Sequence, residues 1–319
     1  MKISGFSMGK NALKLYYPMR QSIESILPLV DEFVVALGDS DEDDITRSEI
    51  AAIGSDKIRI VDTVWDIEKY PRGMEHAHQT DIAMDLCTGD WLFYLQSDEV
   101  VHEKDLENIR KRCEDLLDDQ EVEGLLFRYR HFWGDYQHVQ DGHCWYRKEV
   151  RIVRNLPEVH SWESAQSFRK IPGFEGLNYR QQAGTYKLRV AEVDADIFHY
   201  GWVRQPRVMQ NKIKAFSTNH RGKESVAAME EAHHFDRIFD YGNLSKLTLY
   251  KGTHPAVMKP WMAKFDWKEQ LRFSGPGQSQ NPFRAKHDKP KYRVITWIEK
   301  NLLGGRRMGE FRNYILLER

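Results

Sequence analysis

Two short apolar runs, at residues 33–37 and 91–95, constrain this 319-residue chain more than any other feature. Neither shows the polar alternation of a half-solvated strand, so each reads as a strand buried on both faces. Residues 3–6 and 58–61 read as two further strands. Between them Leu13, Tyr16, Tyr17, Arg20, Ile23, Ile26 and Leu27 recur at helical spacing, and residues 73–87 place Ala77, Ile82, Ala83 and Leu86 on one helical face. Strands and helices in alternation predict an α/β chain with right-handed crossovers and a mostly parallel sheet. Ligands of such sheets lie at the carboxyl ends of the strands. Two acidic clusters, residues 39–44 and Asp98-Glu99, fall at such ends.

Farther along, residues 104–118 predict a helix. Residues 122–129, 150–153, 186–190 and 196–200 predict shorter strands that extend the sheet, partly antiparallel, and residues 204–239 return to helix. Beyond about residue 250, Pro255, Pro260, Pro276, Pro282 and Pro290 cut the chain into short pieces. The length allows one large α/β domain with an appendage, or two modest domains. A hydrophobic content of 41% with 30% charged residues is that of a globular protein.

Cys87, Cys113 and Cys144 are an odd set without paired spacing, which points to a reducing compartment. No apolar stretch reaches the roughly 18 to 20 residues needed to cross a bilayer, and the first residues lack the pattern of a signal peptide. The expectation is a cytoplasmic protein, soluble or peripheral at the inner face of the membrane. Charge is unevenly spread. Residues 251–319 hold 15 Lys and Arg against 6 Asp and Glu, and the remainder holds 32 against 42. A basic tail on an acidic body suits an anionic partner, such as a membrane surface or a charged acceptor, and equally a solvated helical face.

The chemistry centres on Gly89-Asp90-Trp91-Leu92-Phe93-Tyr94-Leu95-Gln96-Ser97-Asp98-Glu99. A buried strand here delivers carboxylates to a strand end. Carboxylates suit Mg²⁺ or Mn²⁺, hard cations that also bind the phosphate oxygens of a nucleotide. This run resembles the motif of the family 2 glycosyltransferases, which have the GT-A fold: Gly-Asp, a hydrophobic strand, then Asp-x-Asp, often followed by an acid. The resemblance spans roughly residues 1–205. It implies a GT-A-like, Rossmann-type mixed sheet flanked by helices, a nucleotide-sugar donor (UDP-sugar favoured), a Mn²⁺ or Mg²⁺ cofactor, and Asp98 as direct metal ligand. Gln96 stands where the family has the first Asp, and with Ser97 and Asp39 it is assigned to the nucleoside. Asp39 substitutes for a base-reading Asp whose place is taken by Ala36. Thr80-Asp81 stands where the family often has Arg-Asn, and Asp81 reads equally as a surface charge or a site residue.

Downstream, His199 ends a strand in Ala195-Asp196-Ile197-Phe198-His199-Tyr200-Gly201-Trp202, and many GT-A enzymes use a late histidine as a metal ligand. An inverting transfer needs a base for the acceptor hydroxyl. Glu163, in the loop after residues 150–153, is assigned that role, with Glu158 and Asp141 in reserve. Trp133, Trp145, Tyr146 and Trp162 suit the faces of sugar rings or a core, and Arg147, Lys148 and Arg151 suit a pyrophosphate.

Other patterns point away from rival chemistries. His76 and His78 face different ways on a helix. His131, His138 and His143 fall in predicted loops without cysteine partners, which disfavours a zinc hydrolase. There is no glycine-rich phosphate loop, and no nucleic acid is expected. The Gln-x-x-Arg-Trp motif of processive synthases is missing at Gln205-Pro206-Arg207, so single addition is expected. The expectation is therefore a catalytic domain over residues 1–205 and a mainly helical, basic extension over 206–319. The enzyme would glycosylate a glycan or lipid-linked acceptor in cell-surface polysaccharide or lipopolysaccharide synthesis. Trp297, Ile298, Leu302, Leu303 and Phe311 would make a peripheral membrane contact. Two alternatives stand beside it: a nucleotidyltransferase on a related sheet, and a non-catalytic binder of sugar or nucleotide.

Overall fold

The computed structural model describes residues 1–236, 238–275, 285–309 and 312–319; Pro276, Pro282 and Phe311 lie outside the described residues. The first half runs β1 (Ile3–Gly9), α1 (Met19–Ile26), β2 (Glu32–Leu37), α2 (Thr46–Ala51), β3 (Ile58–Asp62), α3 (Met74–Met84), β4 (Trp91–Tyr94), β5 (Glu99–Val101) and α4 (Leu106–Asp115). Then come β6 (Gly124–Trp133), β7 (His138–Val139), β8 (Lys148–Arg154), β9 (Val159–Trp162), β10 (Ser167–Lys170) and β11 (Tyr186–Trp202). The remainder holds α5 (Pro206–Arg221), α6 (Lys223–Glu231), β12 (Thr248–Leu249), α7 (Lys259–Met262), α8 (Pro290–Asn301) and β13 (Tyr314–Leu316).

The chain is a mixed α/β protein whose sheet is flanked by helices. Its sheet order is β3-β2-β1-β4-β8-β6-β11-β10-β9. β1, β2, β3 and β4 pair in parallel, and β8 runs antiparallel to both β4 and β6. The unbroken apolar runs follow from burial on both faces. Phe33, Val35, Trp91 and Phe93 pack with Met19, Ile23 and Ile26 of α1 and Ile109 of α4. Val34, Ala36, Leu92 and Tyr94 point the other way, onto Ala83 and Met84 of α3. Each larger side chain among them contributes about 1.5–3 kcal/mol.

Four local differences from the sequence pattern have physical causes. The first helix starts at Met19 rather than near Leu13, because the residue before Pro18 is kept from the helical region. Residues 11–17 form a turn instead, with Asn11 and Tyr16 at positive φ. The strands predicted at 186–190 and 196–200 are one strand, β11, whose register shifts between Glu192 and Asp196 absorb the acidic stretch. Asp194 and Asp196 there pair with Arg128 and Arg130 of β6. Residues 206–319 are not helical throughout: β13 adds to β11 in parallel and β12 pairs with β7. The helix expected over 204–239 is two helices, parted at Gly222.

Two buried polar contacts hold the sheet to its surroundings. Glu99 and Arg151 are both completely buried and form a bidentate pair at 2.8 Å, which Tyr129 completes by donating its hydroxyl to Glu99 Oε1. Arg151 is thus a core residue and not the pyrophosphate contact its charge suggested. Asp81 accepts from the Ser161 backbone N–H at 2.7 Å and lies 3.0 Å from His160 Nδ1, tying α3 to β9. It belongs to the packing, away from the surface.

Removing one partner of a buried pair strands the other charge. Glu99→Ala should lower the free energy of unfolding by about 3–5 kcal/mol in a urea titration, and Glu99→Ala/Arg151→Met should recover much of that. A loss under about 1 kcal/mol, the range of surface pairs, would sink this assignment. Burial raises the Asp81 carboxyl from its usual 3.8 to about 6, despite His160 and the Ser161 N–H, which hold it down. The folded state then binds this proton more tightly than the unfolded chain. Its contribution is complete below about pH 4 and is lost as pH rises through about 6. Wild-type stability minus that of Asp81→Asn should fall across this window; a flat difference would refute it.

Candidate active site

Strands β2 and β4 leave β1 in opposite directions, so β1 is a switch point of the sheet, and a cleft of about 1440 Å³ opens at its carboxyl end. Met8 and Gly9 of β1, Asp39 beyond β2, and Gln96, Ser97 and Asp98 beyond β4 line the strand side. Helix α5 supplies Met209, Lys212, Ile213 and Phe216, which share one helical face. Trp133, Trp145 and Trp202 form an aromatic wall. Trp133 and Trp202 stack at 4.8 Å, and Trp145 meets both edge-on.

At the bottom of the cleft Asp98 Oδ2 lies 3.8 Å from His199 Nε2 and 3.3 Å from Lys212 Nζ. The ladders explain this meeting. β11 pairs His199 with Glu99 of β5 on one side and with His131 of β6 on the other. Adjacent residues of an extended chain point oppositely, so Glu99 turns into the core toward Arg151 while Asp98 faces the cleft.

Burial alone would raise the Asp98 carboxyl, but Lys212, His199 and Arg204 outweigh it and hold the group down to about 2. Burial and the nearby Arg204 pull the Lys212 ammonium down to about 7, against the opposing pull of Asp98. Burial also lowers His199, opposed by Asp98 and Glu99. Asp98 is therefore anionic and His199 neutral at neutral pH. Lys212 also donates to the Gly201 carbonyl at 2.7 Å and sits over the rings of Tyr17 and Trp202.

Asp98 and His199 converge on one point. A Cβ built on Gly201 would lie 2.4 Å from Asp98 Oδ2 and 2.5 Å from His199 Nε2. A carboxylate oxygen with an imidazole nitrogen is a fitting donor pair for Mn²⁺ or Mg²⁺. Among the described residues no group of three or more His, Cys, Asp and Glu is placed to hold an ion. Further positions would fall to phosphate oxygens and water, the usual arrangement where a divalent ion serves a nucleotide.

Of the other residues singled out in the sequence, Asp39 lines the cleft, pairs with Lys10 at 2.8 Å and accepts from the Trp65 N–H. Gln96 and Ser97 line it too, yet their side chains donate to the carbonyls of Ala165 and Met8. Glu163 is not brought to the cleft. Glu163 and Ala165 take left-handed backbone conformations, so Ser164 and Gln166 reach the wall while the Glu163 carboxylate lies 3.8 Å from Arg180. The reserves Glu158 and Asp141 pair with Lys170 and Lys300 away from the cleft. Tyr146 lines the cleft, whereas Trp162 stacks on Arg169. His131, expected in a loop, lies on β6 against His199.

Sequence reasoning passed over Trp65, Arg204 and Lys212, and weighed His131 only as a loop histidine. Lys212 had one visible signal, a lysine within the apolar stripe Met209, Ile213 and Phe216.

No family model matches this chain, and no curated protein does. Solved structures show limited similarity. Glucosyl-3-phosphoglycerate synthase from Mycobacterium tuberculosis, in complex with Mn²⁺, UDP and phosphoglyceric acid, is 20% identical over 40% of this chain and 43% of that one, with a TM-score of 0.29. The same synthase has also been solved with Mg²⁺ and UDP. Residues 1–349 of S. aureus TarS are 13% identical over 69% of this chain and 65% of that one, with a TM-score of 0.36. The chain spans less than half the length of the synthase it matches.

A methyl group at position 201 would intrude on both Asp98 and His199. Gly201→Ala should cost about 1–3 kcal/mol by overpacking, read by thermal unfolding. Gly142→Ala, whose Cβ would meet only Thr296 Oγ1 at 3.5 Å, serves as the control. Equal melting temperatures for the two variants would contradict the crowded geometry.

Proposed function

We propose that this protein is a metal-assisted glycosyltransferase, taking a sugar from a nucleoside diphosphate sugar, with a UDP-linked donor favoured, and passing it to a glycan or lipid-linked acceptor. The observation that carries this reading is the convergence of Asp98 Oδ2 and His199 Nε2 on one point at the end of β4, in a cleft large enough for a donor and an acceptor. It agrees with the motif at residues 89–99. Asp98 and His199 would hold Mn²⁺ or Mg²⁺, which offsets the charge that develops on a diphosphate leaving group.

The remaining roles belong to the chain's own groups. Lys212, beside Asp98, is placed to meet a phosphate oxygen with its ammonium. Lys10, Asp39 and Trp65 make a polar pocket with an aromatic face for the nucleoside. Trp133, Trp145 and Trp202 offer ring faces to a sugar and keep water from the reacting end. Gln96, spent on the Ala165 carbonyl, holds the loop after β9 against the motif rather than reading a ribose. The carboxylates lining the cleft are Asp39, Asp66, Glu68 and Asp98, so acceptor activation does not fall to Glu163.

A thermal-shift panel of UDP, GDP, CMP and dTDP, each with and without Mn²⁺, tests the reading on wild type, Asp98→Ala and Asp98→Asn. One nucleotide should stabilise the wild type in a Mn²⁺-dependent way and neither variant. Incubation with the matching nucleotide sugar and a glycan acceptor mixture should then release the nucleoside diphosphate. Release of pyrophosphate from a nucleoside triphosphate would favour the nucleotidyltransferase instead, and no shift with any nucleotide would refute donor binding.

A further inference from the structure

Both ring nitrogens of His131 are engaged. Nε2 lies 2.8 Å from the Tyr146 carbonyl oxygen, and Nδ1 lies 2.9 Å from Nδ1 of His199. A carbonyl oxygen only accepts, so Nε2 of His131 carries a proton. The ring is buried among Tyr129, Trp145 and Tyr146, and its hydrogen-bond partners are a carbonyl and another imidazole. An imidazolium without a carboxylate partner is costly in such surroundings, which leaves His131 neutral and its Nδ1 bare. The hydrogen between the two rings therefore sits on Nδ1 of His199. A neutral imidazole has one such hydrogen, so Nε2 of His199 is unprotonated. That is the atom 3.8 Å from Asp98 Oδ2, so the imidazole turns a lone pair toward a carboxylate oxygen that Lys212 approaches at 3.3 Å, the donor pair of the proposed cation seat.

We infer that His131 is a positioning residue: anchored on the Tyr146 carbonyl, it fixes the tautomer of His199 and turns an unprotonated Nε2 toward the cation seat beside Asp98. The inference rests on the proposed reading of Asp98 and His199 as that seat. It adds a second tier of control, in which a backbone carbonyl acts through one imidazole to set the ligand face of another. Metal-binding histidines commonly have their far nitrogen fixed in such a way, and loss of the fixing partner typically weakens the metal 10- to 100-fold. Parallel pairing of β6 with β11 supplies the juxtaposition, since His131 and His199 are register partners.

The tautomer can be read on the metal-free protein by long-range proton–nitrogen correlation NMR with ¹⁵N-labelled histidine. The expected spectrum shows His199 protonated at Nδ1 and bare at Nε2; protonation at Nε2 would overturn the inference. His131→Phe keeps the ring packing and removes the acceptor. With UDP present, its Mn²⁺ affinity, followed by electron paramagnetic resonance, should fall about 10- to 100-fold. His131→Asn, which restores an acceptor oxygen near Nδ1, should recover part of the loss. A His131→Phe affinity within about twofold of wild type would also overturn the inference. Should the Phe variant not fold, the wild-type spectrum still decides. The expected tautomer in a protein that releases no nucleoside diphosphate would refute the transferase reading and leave the histidine relay standing.

Discussion

The strand side of the cleft depends on one buried ion pair. Glu99 Oε2 accepts from Arg151 Nε and from the Gln96 backbone N–H, and Oε1 accepts from Arg151 Nη2 and the Tyr129 hydroxyl. Arg151 Nη1 goes on to the carbonyls of Val150 and Gln166. One carboxylate and one guanidinium thus join the turn after β4 to β5, β6, β8 and the loop before β10. A charge pair this deep is tolerable only because nearly every donor and acceptor on it is satisfied. Asp98 hangs directly from this knot. Its aim into the cleft is set by the residue beside it, whose carboxylate is locked into the core.

At the bottom of the cleft three different ionisable groups meet. A carboxylate, a neutral imidazole and an ammonium crowd together behind a glycine, in a place largely screened from water. Electrostatic contacts are stronger there than at a surface. Asp98 and His199 are the donor pair of the proposed reading, and beside them Lys212, its ammonium lowered to about 7, is the group proposed to meet an anion. In the proposed reading these groups would serve a diphosphate accompanied by a divalent ion.

Much of the sheet was legible because strands buried on both faces cannot hide their composition. Residues 33–37 and 91–95 showed themselves for that reason, and Asp98 followed as the first carboxylate beyond the second run. His199 was legible as a strand-end histidine. Its partner was not. His131 precedes Gly134 and Asp135, which suggested a loop, and only the pairing of β6 with β11 shows that the strand continues to Trp133. Lys212 lies on a helix whose stripe looks like ordinary packing until the cleft is seen. That Glu163 does not line the cleft was not legible, because side-chain direction in a loop follows from backbone conformation, here left-handed at Glu163 and Ala165, and no local pattern announces that. The contrast between Asp98 and Glu99 was available from strand alternation alone.

The aromatic wall has one more consequence. Trp133, Trp145 and Trp202 lie with ring centroids 4.8 to 5.8 Å apart, and the Lys212 ammonium stands 5.5 Å from the Trp202 ring. Indoles this close couple their ultraviolet absorption transitions, and the coupling depends on the mutual geometry of the rings. A charge moved beside these rings shifts those transitions. Near-ultraviolet dichroism of the unlabelled chain should therefore change when a charge enters the bottom of the cleft.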